Sequence, residues 1–201
     1  MSKIKWNAGT LLGPVPPALI TCGTLEKPNI MTAAWTGIIN SKPPKTYVSI
    51  RPERYSHDLI KESGEFVINL TPSNLVRAAD FCGVRSGRDV DKFKACNLTA
   101  EKSNEVSAPS LSEAPVSIEC RVYDVVSLGS HDMFLADIVA VSVDDKYIDE
   151  AGKLHLEKAA LASYTHGDYF AQGKKIGSFG FSVKKKHHNN PNTKEKSNKK
   201  K

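Results

Sequence analysis

The segment "APVSIECRVYDVVSLGSHDMFLADIVAVSVDD" (114–145) limits the fold more than any other stretch of the chain. Val116, Ile118, Cys120 and Val122 alternate with other residues on the way out, and Val139, Val141 and Val143 alternate on the way back. A period of two over such a length reads as a long strand pair, with "SLGSHD" (127–132) as the turn. A doubly wound parallel fold is a poor match, because there strands alternate with long helices.

The shorter elements point the same way. "ALITCGT" (18–24) is a β-rich run and "EFVINL" (65–70) a buried strand, while "IMTAAWTGII" (30–39) reads as one further strand, rich in small residues. "KPPK" (42–45) is a turn, since neither proline continues a strand. "TYVSIRP" (46–52) alternates, with Tyr47, Ser49 and Arg51 on one face and Val48 and Ile50 on the other. The helices are short. One follows with Ser56 as its N-cap and Gly64 as its stop; a second spans 72–83 between Ser73 and Gly83; a helical turn lies within 86–97. A smaller hairpin is expected over 146–158 around Gly152. The fold class is therefore α+β, mainly β, built around an antiparallel barrel with short peripheral helices.

Charge divides the chain. Residues 184–201 hold eight lysines against one glutamate and no apolar residue, so they account for the whole net charge of +6 and leave a nearly neutral body. We expect one domain over 1–183 and a disordered Lys-rich tail over 184–201, which cannot bury surface to offset the entropy of ordering. The tail has no aromatic residue to stack on bases, which argues against nucleic acid as a partner. No run reaches the length of a membrane span, and the N-terminal stretch lacks the apolar core of a signal peptide. The expected location is the cytoplasm, with the four cysteines reduced.

Several chemistries drop out. No C-x-x-C pair, H-E-x-x-H or G-x-S-x-G is present, so no metal site is expected. Gly173, Gly177 and Gly180 lack the spacing of a dinucleotide fingerprint, and "GDYFAQGKK" has five residues between its glycines where a P-loop has four.

What remains is "RPERYSHDLIKESGEFVINL" (51–70), where arginines and hydroxyls crowd the mouth of a helix. Helix N-termini carry unpaired N–H groups and partial positive charge, so Arg51, Ser56 and His57 together could hold a phosphate. Taken alone, the stretch reads more simply as an ordinary cap beside solvated arginines. Upstream, "MTAAWTG" (31–37) sets small residues beside one large aromatic, which lets a flat ring approach the backbone. Trp35 by itself reads more simply as a core or subunit-interface residue than as a stacking platform. The order of the two features suits a ligand with a phosphate at one end and a flat heterocycle at the other.

"NIMTAAWTGIINSKPPKTYVSIRPERYSHDLIKESGEFVINL" (29–70) resembles the flavin reductase-like, FMN-binding split-barrel family, which includes the flavoredoxins. "CGVRSGRDVDKF" (82–93), "GSHDMFLADIVAV" (129–141) and "GDYFAQGKKIGSFGFS" (167–182) resemble its later blocks. The resemblance implies FMN as cofactor and a split barrel as fold. It implies that Thr32, Ala33, Ala34, Trp35 and Thr36 lie along the isoalloxazine and that Asn40 sits where the chain turns past it. It further implies that Ser49, Ile50 and Arg51 pass the ribityl chain and phosphate, that Tyr55, Ser56 and His57 complete the phosphate pocket, and that Ser86 and Lys92 close over the flavin. His131 matches a histidine near the flavin and its reductant; by its own sequence context it is a polar turn residue. Tyr164, His166 and Tyr169 are further candidates. The implied activity is NAD(P)H:flavin reduction by a homodimer with flavin near the subunit interface; the alternative is an electron carrier reduced by a protein donor.

Overall fold

The computed structural model describes residues 1–183; the basic tail, 184–201, lies outside the described residues. Eleven strands and three α-helices are present among them: β1 (Ala18–Gly23), β2 (Pro28–Ala33), β3 (Thr36–Ser41), β4 (Pro44–Ile50), α1 (Tyr55–Ser63), β5 (Glu65–Asn69), α2 (Val76–Val84), α3 (Lys92–Cys96), β6 (Ala100–Glu101), β7 (Ser110–Leu111), β8 (Val116–Ser127), β9 (Asp132–Val143), β10 (Ala162–Thr165) and β11 (Asp168–Ala171). Seven strands form one antiparallel sheet in the order β2-β1-β5-β8-β9-β4-β3.

That order dictates the shape. β2 and β3 are the two outer edges of the sheet, yet only Ala34 and Trp35 separate them in the chain. The step from Ala33 to Thr36 spans at most about 11 Å. The sheet must therefore curl until its edges nearly meet, which makes a barrel with a seam at residues 34–35. The Ser49 N–H donates to the Trp35 carbonyl at 2.9 Å, extending the β3–β4 ladder one residue beyond Thr36. The result is the split barrel with short peripheral helices that the sequence leads one to expect. The single strand expected over 30–39 is the exception: the chain leaves one edge at Ala33 and joins the other at Thr36.

The long hairpin forms as β8 and β9, paired from Val116↔Val143 to Ser127↔Asp132. Register shifts at Glu119/Cys120 and Val122/Asp124 mark bulges, which add twist and help the pair coil around the barrel. Period-two alternation divides β1. Ile20 and Cys22 enter the barrel with Met31, Val48, Ile50, Phe66, Phe134 and Ala136, whereas Leu19 packs outward with Ile30 against Ala79 and Cys82 of α2 and Phe93 of α3. Phe66 and Phe134 are fully buried. Truncating either to alanine would cost about 3–5 kcal/mol.

Local expectations fail where a longer-range contact competes. Ser56 is not the N-cap of α1; Arg54 holds that position without a side-chain cap bond, and the buried Ser56 Oγ accepts from Asn29 Nδ2 at 2.7 Å. Gly64 does end α1, left-handed at φ 68°, with its N–H on the Ile60 carbonyl at 2.8 Å. The second helix begins as a 3₁₀ turn (Ser73–Leu75) and runs through Gly83, because Ser73 Oγ donates to the Ala160 carbonyl instead of capping. The hairpin expected around Gly152 reduces to one bridge, Ile148↔Leu154. There the Asp149 carboxylate gathers the Ala151 and Lys153 N–H groups and organises a loop that has little apolar surface to bury. No helix among the described residues is long and apolar enough to cross a membrane.

Candidate functional site

A cavity of about 350 Å³ opens at the barrel seam. Thr32, Ala33, Ala34 and Trp35 form one side of it. As the outermost strand, β2 pairs with β1 alone, so backbone N–H and C=O groups on its other edge lack ladder partners. Small side chains on this stretch keep those groups within reach of a flat ligand. Ser49, Arg51 and His131 stand on the wall that β4 and the β8–β9 turn provide, and Tyr164 and Tyr169 of the β10–β11 hairpin stand on another. The two tyrosine rings meet edge to face at 5.2 Å, and the Tyr169 hydroxyl lies 3.4 Å from Asp80 Oδ1. Burial, then the Asp80 charge, pushes the Tyr169 phenol up to about 12.

A second chamber of about 170 Å³ adjoins the first, sharing Met31, Arg54 and Val84 as walls. It gathers Arg54, Arg85 and Lys92 with the hydroxyl residues Tyr55, Ser56 and Ser86, and Glu53 is the one carboxylate in its lining. Lys92 is buried, and its Nζ donates to the carbonyls of Cys82 at 3.1 Å and Arg85 at 3.2 Å. An ammonium has three donors, so one remains for a ligand. Burial pushes the Lys92 ammonium below its ordinary value. Arg54 Nη1 donates to the Gly83 carbonyl at 3.0 Å. The loop between α2 and α3 closes the chamber at Gly87, where a Cβ would fall 2.1 Å from Asn29 Oδ1 and 2.9 Å from the Tyr55 ring. Only glycine lets the backbone pass there.

The His131 ring rests on Trp35, with centres 4.5 Å apart and planes at 40°. Ser130 Oγ lies 2.9 Å from His131 Nδ1. Burial first, and the Arg51 charge second, hold the imidazole below its ordinary value of 6.5. Arg51 is exposed, and its nearest carboxylate, Glu53, lies 3.4 Å away.

Of the expected site residues, the larger cavity collects Thr32, Ala33, Ala34, Trp35, Ser49, Arg51 and His131, and the smaller one Tyr55, Ser56, Ser86 and Lys92. Four side chains reach neither. Thr36 Oγ1 donates to the Tyr47 carbonyl, Asn40 Nδ2 donates to the Pro43 carbonyl at 2.7 Å, Ile50 belongs to the barrel core, and His57 is buried against Asp132. Of the three further candidates, Tyr164 and Tyr169 line the cavity and His166 does not. Arg54 is one of the arginines expected at the helix mouth, whereas Arg85, Asp80 and Gly87 carry no expectation from the sequence. Arg85 adjoins Ser86 in a block already singled out, and its charge was the available signal. Asp80 gave none, being one polar residue of an amphipathic helix.

The arrangement offers no nucleophile activated by a base, and no group of acidic, His or Cys residues among the described residues could hold a metal. It offers a slot with a flat-ligand wall, joined to a chamber for an anion.

Residues 13–171 match the family model described as "Flavin reductase like domain". Flavoredoxin of Desulfovibrio vulgaris (Miyazaki F) is similar in structure, with a TM-score of 0.84 at 32% identity over 91% of this chain and 100% of that one. Flavoredoxin from Methanosarcina acetivorans gives 0.82 at 27% identity over 92% and 100%. The FMN-binding protein from Thermus thermophilus, solved with bound 1-cyclohex-2-enone, gives 0.74 at 27% identity over 88% and 99%.

Proposed function

The chain belongs to the flavin reductase-like domain family, and we propose that it is an FMN-dependent oxidoreductase, an NAD(P)H:flavin reductase. The observation that carries this reading is the junction of the two chambers: a slot backed by an edge strand adjoins a pocket where three cations and three hydroxyl residues outnumber the one carboxylate, Glu53. The similarity to flavoredoxins and to an FMN-binding protein supports the choice of a flavin with a terminal phosphate.

FMN, when bound, supplies a ring that accepts hydride from a reduced nicotinamide. The chain's own residues bind and orient. Arg54, Arg85 and Lys92, with Tyr55, Ser56 and Ser86, would hold the phosphate; charge-assisted bonds in a partly buried pocket are the strong kind. Thr32 to Trp35 would lie along the ring, and Ser49 and Arg51 would face the chain between ring and phosphate. Backbone N–H groups along β2 could stabilise negative charge that develops on the ring. His131, neutral near pH 7, presents a polar edge on the donor side without placing a second cation beside Arg51.

The same reading includes a second copy. Trp35, Ile38 and Ile39, at 43%, 67% and 45% exposure, form an apolar strip where β3 closes the sheet. A homodimer that covers this strip would exclude water from the cavity mouth.

The test is direct. The purified protein, loaded with FMN and then freed of unbound flavin by gel filtration, should retain absorbance at ~370 and ~450 nm and should oxidise NADH or NADPH with turnover. Flavin that is reduced by a protein donor, with no NAD(P)H oxidation, would instead assign an electron carrier of the flavoredoxin kind. A protein that takes up no flavin refutes both.

A further inference from the structure

His57 has no part in either chamber, although it follows Ser56 directly. Its side chain is buried, with Nε2 2.9 Å from Asp132 Oδ2 and Nδ1 3.1 Å from Asp58 Oδ1, and its ring meets Phe134 edge-on at 5.3 Å. A buried polar ring needs partners, and these hold it in one orientation. The two arms differ in worth. Asp58 also accepts from Arg88 Nη2 at 3.2 Å, but those side chains are 64% and 47% exposed, so solvent screens that arm. The Asp132 side chain is 13% exposed, and hydrogen bonds from His57 and then Ser127 hold its carboxyl below the usual range.

Asp132 is where β9 begins. It pairs with Ile50 at the end of β4 and with Ser127 at the end of β8. Its chain neighbour is His131, and the chain neighbour of Ile50 is Arg51. Two residues of the larger cavity thus sit one position from the backbone that His57 ties to α1. Beyond those two ladder pairings, the turn is held by the Leu128 N–H on the His131 carbonyl at 2.8 Å and by the Ser130 contact.

We propose that His57 is a positioning residue: through Asp132 it fixes the start of β9, and so keeps the His131 ring against Trp35 on the side of the cavity where the electron donor arrives. The identity of that visitor rests on the function proposed above; the clamp on the Trp35–His131 contact does not.

The test uses the full-length chain, without added flavin, carrying Trp6→Phe, so that Trp35 is the only indole. Protonated imidazole in contact quenches indole emission, so the series is read on the acid side of the His131 titration. His131→Ala gives the unquenched level. His57→Leu should raise Trp35 emission towards that level, whereas His57→Gln, whose amide N–H can still reach Asp132, should stay near wild type. With FMN added, His57→Leu should slow turnover on the order of tenfold with FMN affinity kept within about twofold. Should the Leu variant fail to fold, Asp132→Ser removes the same bond from its more accessible end and should give the same rise. Emission at the wild-type level in folded His57→Leu or Asp132→Ser overturns the proposal, as does a Gln variant that behaves like Leu. A wild-type protein without NAD(P)H turnover would refute the reductase reading, while the emission series would still decide the clamp.

Discussion

His131 and Trp35 meet face to tilted face, ring centres 4.5 Å apart, although one belongs to the turn between β8 and β9 and the other to the gap between the two edges of the sheet. The contact brings a titratable ring onto the exposed indole at the cavity mouth, so its protonation can be followed optically.

Burial and then Arg51 depress the His131 pKa below 6.5. A depressed imidazole in the folded state means that stability is complete above the unfolded value and is lost as pH falls from 6.5 towards the folded value. Arg51→Ala removes the second cause and leaves the first. The His131 midpoint, read from its ring protons by NMR, should move up towards 6.5 without reaching it. An unchanged midpoint would mean that Arg51 does not act on this ring.

Arg85 lines the smaller chamber and makes no side-chain hydrogen bond among the described residues, so its removal leaves no protein group orphaned. Loss of one charge-assisted contact costs about 1.5–3 kcal/mol, or roughly ten- to a hundredfold in affinity. Arg85→Ala should weaken FMN by that amount and leave riboflavin, which lacks the phosphate, nearly unaffected. Equal weakening of both would place the phosphate elsewhere. Arg51, on the larger cavity, should show the smaller difference between the two ligands.

Gly87→Ala tests the close approach that shuts the chamber. The new methyl cannot share space with Asn29 Oδ1 at 2.1 Å, so the loop must retreat. The expected result is weaker FMN binding with riboflavin again spared, and a melting temperature lowered by a few degrees, about 1–3 kcal/mol of strain. Wild-type affinity and stability together would show that the loop yields freely.

Glu119 is fully buried and accepts from the Asn104 N–H at 3.0 Å, the Asn104 side-chain amide at 3.0 Å and the Glu105 N–H at 2.7 Å. Burial raises its carboxyl, but the N–H groups of Asn104 and Glu105 outweigh it and hold the group below 4.5. Its contribution is therefore complete above 4.5 and lost as pH falls towards the folded value. Glu119→Gln sets an amide against those donors and should cost about 1–3 kcal/mol at neutral pH. Urea titrations at a series of pH values should show the difference shrinking on the acid side; a gap independent of pH would assign the loss to shape rather than charge.

The sequence displays whatever is periodic or contiguous. The β8–β9 pair follows from alternation, and the cavity wall from Thr32 to Trp35 follows from a run of small residues beside an aromatic. What it hides is set by partners far along the chain. Nothing local in "IMTAAWTGII" signals that its halves belong to opposite edges, because a run of small and strand-forming residues continues through the jump. Ser56 and His57 are neighbours, yet one turn of α1 sends Ser56 to Asn29 and the chamber and His57 to Asp132 and the core. Helical geometry separates adjacent residues by about 100°, and which side faces a ligand depends on residues 27 and 75 positions away. Arg85 illustrates a different gap: a cation on a loop carries no pattern, and only the closure at Gly87 reveals what it lines.

The seam at Ala34 and Trp35 also has a kinetic meaning. Its two sides come from early strands, but they are brought face to face only after β8 and β9, from the second half of the chain, have bridged β5 to β4. Contacts of such long range are slow to form. A nascent or half-denatured chain therefore owns no cleft at all, and any guest that lodges there senses the whole molecule, reporting complete folding and resisting complete unfolding rather than the fraying of a single loop.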